Sequence, residues 1–524
     1  MPPLLDRISD YVEWYAERSP NAEALVLDSQ RIDYARLNSD VCALSSALLA
    51  AGVKAGDRIA TLATPHPDFF IIFLAAVSIG AVWVGLNPRY KRDELEYVLK
   101  DSRPSLVFSR TRIRDRDFSE DIGILQAVLP SARWVVLGDD PLCANCAPIA
   151  EFVASGAITS LASLRLARAD VQPQDPALII YTSGSTGSPK GALLAHRGLA
   201  VCCRVQHRYW GATPLRTLNF FPINHIACVG DIACFTLVGG GCTVFLEQFS
   251  PAECLSGIAR ERVSLWLGVP TTFLLSLRDP NFDRTDLSSV QKIAWSGAAA
   301  SAELVDSLLR LGKWLGTSYG LTETVGSVTF TGDGASRIAL TKTVGEPAPE
   351  YGVRIVDTDE HPVSAGEVGE ILVHGDCLFV GYWERAAATR EAFSAGWFKT
   401  GDLARWTDDG SIELVGRKQD VFKSGGYNIY PREIEIALER HRAVRLAAVV
   451  AVPDSVFGEV GHAFVVPQPG AAIVPAELDL HCRQHLANYK VPKGFTLLLD
   501  APLLPVGKID KRALAARLAG LAPG

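Results

Sequence analysis

Residues 69–86 read FFIIFLAAVSIGAVWVGL, an uncharged run approaching the roughly 20 residues that a membrane-spanning helix needs. Ser78, Gly80 and Gly85 interrupt it. The run divides into a helix over residues 68–78 and a β-branched strand over 81–85, and its flanks repeat that rhythm: strand 58–62, helix 92–99, strand 105–108. Strands covered by crossover helices on both faces lose the polar alternation of half-exposed strands and read as continuous apolar runs. The segment is therefore expected to be sheet core, and no transmembrane segment is expected.

The same alternation continues outward from about residue 30 to 300, with strands expected at 177–181, 243–246, 264–267 and 292–295. Between about 340 and 415 it gives way to strands separated by Gly, Pro and Asp turns, at 353–356, 370–374 and 411–415. After Gly416-Arg417-Lys418-Gln419-Asp420 comes a tail of about a hundred residues with helices at 431–440 and 476–486 and strands at 447–452 and 462–466. The expected fold class is α/β: a large N-terminal domain of doubly wound sheets with a β-rich subdomain, plus a small mobile α+β C-terminal domain. The boundaries expected are 1–416, a hinge at 417–420, and 421–524.

Composition narrows the function. The chain has 524 residues and a net charge of −7, which lacks the cations that a nucleic-acid backbone requires. With 48% hydrophobic and 21% charged residues it has ample core and an ordinary solvated surface. Eleven cysteines are scattered without framework spacing, which suits a reducing cytoplasm. The single Cys143-Ala-Asn-Cys146 has no partner pair for zinc and is read as two loop cysteines. Residues 1–10 carry Asp6 and Arg7 and no apolar signal core, so no secretory peptide is expected.

Directly after the apolar strand at 177–180 stands Tyr181-Thr-Ser-Gly-Ser-Thr-Gly-Ser-Pro-Lys190-Gly191. Its glycines Gly184, Gly187 and Gly191 permit close backbone approach, the hydroxyls of Thr182, Ser183, Ser185 and Thr186 can bond phosphate oxygens, and Lys190 supplies charge. Such a loop suits polyphosphate. Counted from Gly184 it is not the NTPase loop, because Pro189 precedes the lysine and Gly191 replaces the magnesium-binding hydroxyl.

Further segments follow in order: Ser296-Gly297-Ala298-Ala299-Ala300, Tyr319-Gly320-Leu-Thr322-Glu323-Thr, Thr400-Gly-Asp402, Gly416-Arg417, Ser424-Gly425-Gly426-Tyr427-Asn-Ile-Tyr-Pro431 and Pro505-Val-Gly-Lys508. Together with the loop, and with residues 34–37 and 69–88, these resemble the acyl-adenylate-forming superfamily of acyl-CoA synthetases, adenylation domains and firefly-type luciferases. The resemblance implies that a carboxylate attacks the α-phosphorus of ATP, giving an acyl-adenylate and pyrophosphate, and that a thiol then displaces AMP. A carboxylic acid is already ionised at neutral pH, so charge neutralisation and alignment matter more than a general base.

By that resemblance Thr182, Ser183, Thr186 and Lys190 hold the β- and γ-phosphates, and Thr186 and Glu323 serve Mg2+. Tyr319 offers a face to adenine, Thr322 a hydroxyl to the α-phosphate, and Gly297, Ala298 and Ala299 a small-residue wall. Asp402 accepts the ribose hydroxyls with Arg417 behind it. Lys508 reaches the reacting carboxylate during adenylation, then leaves as the C-terminal domain rotates. Gly425, Gly426 and Tyr427 then line the pantetheine arm of coenzyme A. The usual charged hinge residue is replaced by Gln419, beside Lys418 and Asp420.

The acid is expected to be chosen by Phe221-Pro-Ile-Asn-His225-Ile-Ala-Cys-Val229-Gly230. Amino-acid adenylation domains place Asp where this chain has His225, and firefly-type enzymes have His-His-Gly where it has Asn224-His225-Ile226. Both readings lose support. His225 either gates the acyl pocket or packs as a hydrogen-bonded core histidine. Val229, Gly239-Gly-Gly241 and Ala298 to Ala300 suggest an apolar slot for a fatty, alicyclic or aryl acid. The expectation is an ATP-dependent carboxylic acid:CoA ligase, with an acyl-AMP ligase that loads an acyl-carrier protein as the alternative and a noncatalytic acyl-nucleotide sensor behind it. The acid and CoA are its small-molecule partners, and a homodimer is compatible with the family.

Overall fold

The computed structural model describes residues 1–182, 189–503 and 509–519. These form two compact units: residues 1–340, 345–352 and 373–398, and residues 341–344, 353–372 and 399–524, the latter described to residue 519.

Among the described residues, the first unit contains a nine-stranded and an eight-stranded sheet. In the first, Trp314–Leu321, Lys292–Trp295, Leu265–Gly268, Arg216–Asn219, Cys242–Phe245 and Glu23–Leu27 are consecutive parallel neighbours, with antiparallel strands added at both edges. In the second, the parallel run is Pro176–Thr182, Val82–Leu86, Arg58–Leu62, Leu106–Ser109, Arg133–Val136 and Cys146–Pro148. On its other side Pro176–Thr182 pairs antiparallel with Lys190–Ala195, which pairs with Gly381–Tyr382.

The opening run resolves into helix Pro67–Ser78 and strand Val82–Leu86, both nearly all buried. The helix is apolar all round because it touches both sheets. Phe69 meets Trp83 of the eight-stranded sheet at 5.9 Å between ring centroids and Phe245 of the nine-stranded sheet at 5.7 Å. His66 starts the helix, its Nδ1 accepting from the Asp68 N–H at 3.1 Å, and Pro67 occupies the first turn, where no amide donor is missed. Among the described residues, no single helix is long and apolar enough to cross a membrane.

Trp83 is fully buried, packs edge-on against Phe73 at 5.7 Å and donates its Nε1–H to Thr61 Oγ1 at 2.9 Å. Trp83→Ala leaves a void in a layer held from both sides and is expected to cost about 3–5 kcal/mol. The check is the first urea-unfolding transition, with Trp83→Phe retaining most of the stability; a loss below about 1 kcal/mol would show that the layer relaxes to fill the hole.

Strands Gly352–Val356, Gly369–His374, Trp397–Trp406 and Ile412–Arg417 lie in one sheet, and most of their residues belong to the second unit. The β-rich segment expected with the N-terminal domain thus contributes most of its residues to the unit that contains the C-terminal tail. Its strands bond mainly among themselves, as in Val344 N–H to Ile412 O at 2.9 Å and Gly366 N–H to Trp406 O at 2.9 Å. The tail itself is an α+β fold: a hairpin of Val444–Asp454 and Gly458–Pro467, flanked by Phe422–Ser424 and Gly494–Leu497 and packed by helices Pro431–Glu439 and Pro475–His485 around Ile434, Leu438, Val449, Val465 and Leu478.

Candidate functional site

Strands Pro176–Thr182 and Lys190–Ala195 place Thr182 and Lys190 opposite each other as the last register pair, so both stand at the base of the expected phosphate loop. Ser183, Gly184, Ser185, Thr186 and Gly187 lie outside the described residues.

Glu323 comes to the same place from the other sheet. Strand Trp314–Leu321 ends in a 3-10 turn, Thr322–Thr324, closed by the Val325 N–H on Thr322 O at 2.9 Å. Buried Thr324 ties the turn to its strand, its Oγ1 accepting from the Leu321 N–H at 2.8 Å and lying 2.7 Å from the Gly326 carbonyl. Val325 has φ 59°, a left-handed conformation that a β-branched residue rarely adopts. Such strain is retained where the surroundings over-determine it, and Glu323, in the same turn, is half-buried.

Glu323 Oε1 accepts from the Tyr382 hydroxyl at 3.0 Å and from Thr182 Oγ1 at 3.4 Å. The Lys190 ammonium lies 5.3 Å from the Tyr382 ring centroid, within cation–π range. The structure therefore gathers Thr182, Lys190 and Glu323, and adds Tyr382, which the sequence reading missed. Tyr382 arrives because Gly381–Tyr382 pairs with Lys190–Ala195, with Tyr382 opposite Ala192. No local motif reports a partner 59 residues away.

One half-buried carboxylate beside hydroxyls and a lysine fits Mg2+, which takes one or two carboxylates and fills its remaining positions from phosphate oxygens and water. Tyr319 and Thr322 are buried, on the strand and turn that carry Glu323. Gly320 serves packing, because a Cβ there would collide with the Gly326 carbonyl. Gly297, at φ 82°, Ala298 and Ala299 are exposed in the loop after strand Lys292–Trp295.

The expected acid-selecting segment has unusual geometry. Residues Ala227–Cys234 form a π-helix, a conformation rare in proteins and concentrated at functional sites. His225 caps it: Nδ1 accepts from the Ala227 N–H at 3.1 Å, and the His225 carbonyl accepts from Cys228 and Val229. Val229 is 0% exposed. At Gly239, Gly240 and Gly241 the rings of His207 and Tyr15 and the Leu215 backbone and side chain occupy the space of a Cβ, so this run provides close packing.

In the second unit, Asp402 and Arg417 are register partners on adjacent strands, with Arg417 Nε 2.6 Å from Asp402 Oδ1. Asp402 is buried, its N–H bonded to Thr400 Oγ1 at 3.0 Å, so Thr400-Gly-Asp402 is part of a continuous strand. Lys418 bonds Glu370 Oε2 at 2.7 Å and Asp420 lies 3.8 Å from Lys511, while Gln419 between them is exposed. Gly425 and Gly426, at φ 57° and 87°, make the two-residue turn of a tight hairpin. Tyr427 beyond it is 57% exposed and stacks on Tyr489 at 4.4 Å. Lys508 lies outside the described residues.

All eleven cysteines are free. Burial and the neighbouring Cys143 push the Cys146 thiol up to about 11, which leaves little thiolate at neutral pH.

Residues 12–383 match the AMP-binding enzyme family and residues 433–508 match the AMP-binding enzyme C-terminal domain. A feruloyl-CoA synthase of Amycolatopsis is 35% identical over 504 residues, covering 95% of this chain and 96% of that one. An indoleacetate–CoA ligase of Aromatoleum aromaticum is 31% identical, covering 97% and 98%. Among solved structures, ATP-bound MatB of Rhodopseudomonas palustris superposes with a TM-score of 0.88 at 28% identity, covering 98% and 99%. The chain belongs to the AMP-binding enzyme family, within the acyl-adenylate-forming superfamily. Within it the chain is an acyl-CoA synthetase, an AMP-forming acid–thiol ligase.

Proposed function

We propose that the enzyme activates an apolar carboxylic acid, fatty, alicyclic or aryl, as its acyl-adenylate and passes the acyl group to coenzyme A in the cytoplasm. The observation that carries this reading is the convergence of Thr182, Lys190 and Glu323 at the base of a loop built for polyphosphate, with Tyr382 linking the lysine and the carboxylate. Relatives named for feruloyl and indoleacetate acids favour a ring-bearing substrate. Eleven free cysteines suit a reducing compartment.

In this reading Thr182, Ser183, Thr186 and Lys190 hold the β- and γ-phosphates of ATP. Glu323 and Thr186 hold Mg2+, whose charge offsets that of the phosphates. Tyr319 and the wall at Gly297, Ala298 and Ala299 receive adenine, Thr322 meets the α-phosphate, and Asp402 accepts the ribose hydroxyls with Arg417 restraining its carboxylate. His225, Val229 and Ala298 bound the acid. Segment 417–420 is the hinge between domains 1–416 and 421–524, and Gly425, Gly426 and Tyr427 line the thiol's approach after rotation. With Lys418 and Asp420 each engaged in an ion pair, Gln419 is a polar, uncharged pivot.

The test incubates the protein with ATP, Mg2+, CoA and a pooled panel of fatty, alicyclic and aromatic acids, reading AMP and acyl-CoA masses together. AMP with a thioester mass is expected. AMP or acyl-AMP without a thioester would overturn CoA as acceptor and move the reading to a ligase that loads an acyl-carrier protein.

A further inference from the structure

Helix Arg92–Ser102 is fixed to the eight-stranded sheet by Leu95, Val98 and Leu99, which are buried in one core with Val84, Val107 and Ile179. Its first turn is closed by the Glu94 carboxylate, which accepts from the Lys91 N–H at 2.8 Å. Tyr97 and Asp101 stand four residues apart, one above the other on the same helix face. The Tyr97 hydroxyl donates to the Pro189 carbonyl at 2.7 Å, and Asp101 Oδ2 accepts from the Tyr181 hydroxyl at 2.7 Å. One face of one helix therefore holds the neighbour of Thr182 on one strand and the neighbour of Lys190 on the other.

The strand ladder alone does not do this. Thr182 and Lys190 are its last pair, and Pro189, next to Lys190, has no N–H with which to continue it. The carbonyl is the one polar backbone group of that proline, and Tyr97 bonds it. On the other strand, burial and the Asp101 carboxylate push the Tyr181 hydroxyl up, so it stays protonated and donates. Asp101 is held in turn from residues 381–385: Arg385 pairs with its carboxylate, and the Trp383 Nε1–H donates to its carbonyl at 3.0 Å. The Trp383 N–H donates to the Gly191 carbonyl at 2.7 Å, and Tyr382 beside it bonds Glu323. The helix, the Thr182–Lys190 pair and Glu323 are thus joined in one hydrogen-bonded network.

We infer that Tyr97 and Asp101 are positioning residues for ATP, acting through Lys190 and Thr182 to set them against the β- and γ-phosphates. This rests on the assignment of those two residues to the phosphates in the reading above and goes beyond it. A hydrogen bond to the residue beside a phosphate-binding lysine acts only on the part of the nucleotide that the lysine meets. Its loss should therefore weaken ATP and spare AMP, which lacks the β- and γ-phosphates. A helix that merely stabilised the sheet would move both nucleotides or neither.

The test is calorimetric titration of the full chain with ATP and Mg2+, and separately with AMP, without acid or thiol. Tyr97→Phe keeps the ring and removes the Pro189 bond; it should weaken ATP binding by roughly tenfold and change AMP binding by less than about twofold. Asp101→Asn keeps an acceptor for Tyr181 and loses the charge that Arg385 meets, so a smaller change in the same direction is expected. In a Lys190→Ala background, Tyr97→Phe should add less than about twofold, because the residue it acts through is gone. Equal losses for ATP and AMP, an ATP affinity unchanged in both variants, or the same loss from Tyr97→Phe in the Lys190→Ala background would overturn the inference and leave the ligase reading standing. The expected split between ATP and AMP, without pyrophosphate release on any acid of the panel above, would overturn the ligase reading and leave the positioning role standing. A wild type that binds no ATP would overturn both.

Discussion

Glu323→Gln is expected to lower acyl-adenylate formation by roughly 10²–10³-fold, the range seen when one preorganised electrostatic group is removed from an active site. The substitution keeps the shape and one acceptor oxygen for the Tyr382 hydroxyl, so the turn should remain in place while the charge is lost. Magnesium accepts carbonyl oxygens poorly where a carboxylate is replaced, so the Mg2+ concentration for half-maximal rate should rise with the fall in kcat. Tyr382→Phe tests the support of that carboxylate. It removes the 3.0 Å hydrogen bond and keeps the ring beneath Lys190, and about a tenfold loss with the same direction of Mg2+ shift is expected. Melting temperatures should stay near wild type, since Glu323 is half-buried and Tyr382 keeps its edge-on contact with Phe379. A rate for Glu323→Gln within about threefold of wild type would remove Glu323 from the metal and phosphate machinery.

The elements of the fold were readable where hydrophobic pattern is local. Helix Pro67–Ser78, strand Val82–Leu86 and the alternation around them follow from where Ser, Gly and Pro break an apolar run. What the pattern could not express is why that helix is apolar on every side: Phe69 bridges Trp83 and Phe245, residues of two different sheets, and strand partnership is a non-local fact. For the same reason the strands between 340 and 415 were recognisable, but not the unit they join. Thr182, Lys190, Glu323, Asp402 and Arg417 stood out because each sits in a short motif. Tyr382 did not, since it reaches Glu323 only through edge pairing.

Lys508→Ala is expected to suppress adenylation by roughly 10²–10³-fold while thioester formation from supplied acyl-AMP stays within several-fold of wild type. The asymmetry follows from charge. Adenylation drives a carboxylate against an α-phosphate, two anions whose approach a positioned ammonium favours most in the transition state. Thioester formation expels AMP from an adenylate whose acyl carbon is already activated, so the cation is not needed at that atom. The described residues show how the ends of the segment bearing Lys508 are held: Leu503 and Ile509 are bridged, and the Asp510 N–H bonds Pro502 O at 2.8 Å. Next in the chain, Leu514 is fully buried and Lys511 bonds the buried Glu435 at 2.7 Å. The chain on either side of Lys508 is thus tied to the tail, and in the proposed reading domain rotation decides when Lys508 reaches the reacting groups. Lys511→Ala is the control. It strips a buried carboxylate of one cation, although Arg432 remains 3.4 Å away, and should lower the stability of the tail and with it both half-reactions together. Equal losses in both half-reactions for Lys508→Ala, with stability unchanged, would mean that this lysine serves one fixed site throughout the cycle and that the alternating role assigned to it is wrong.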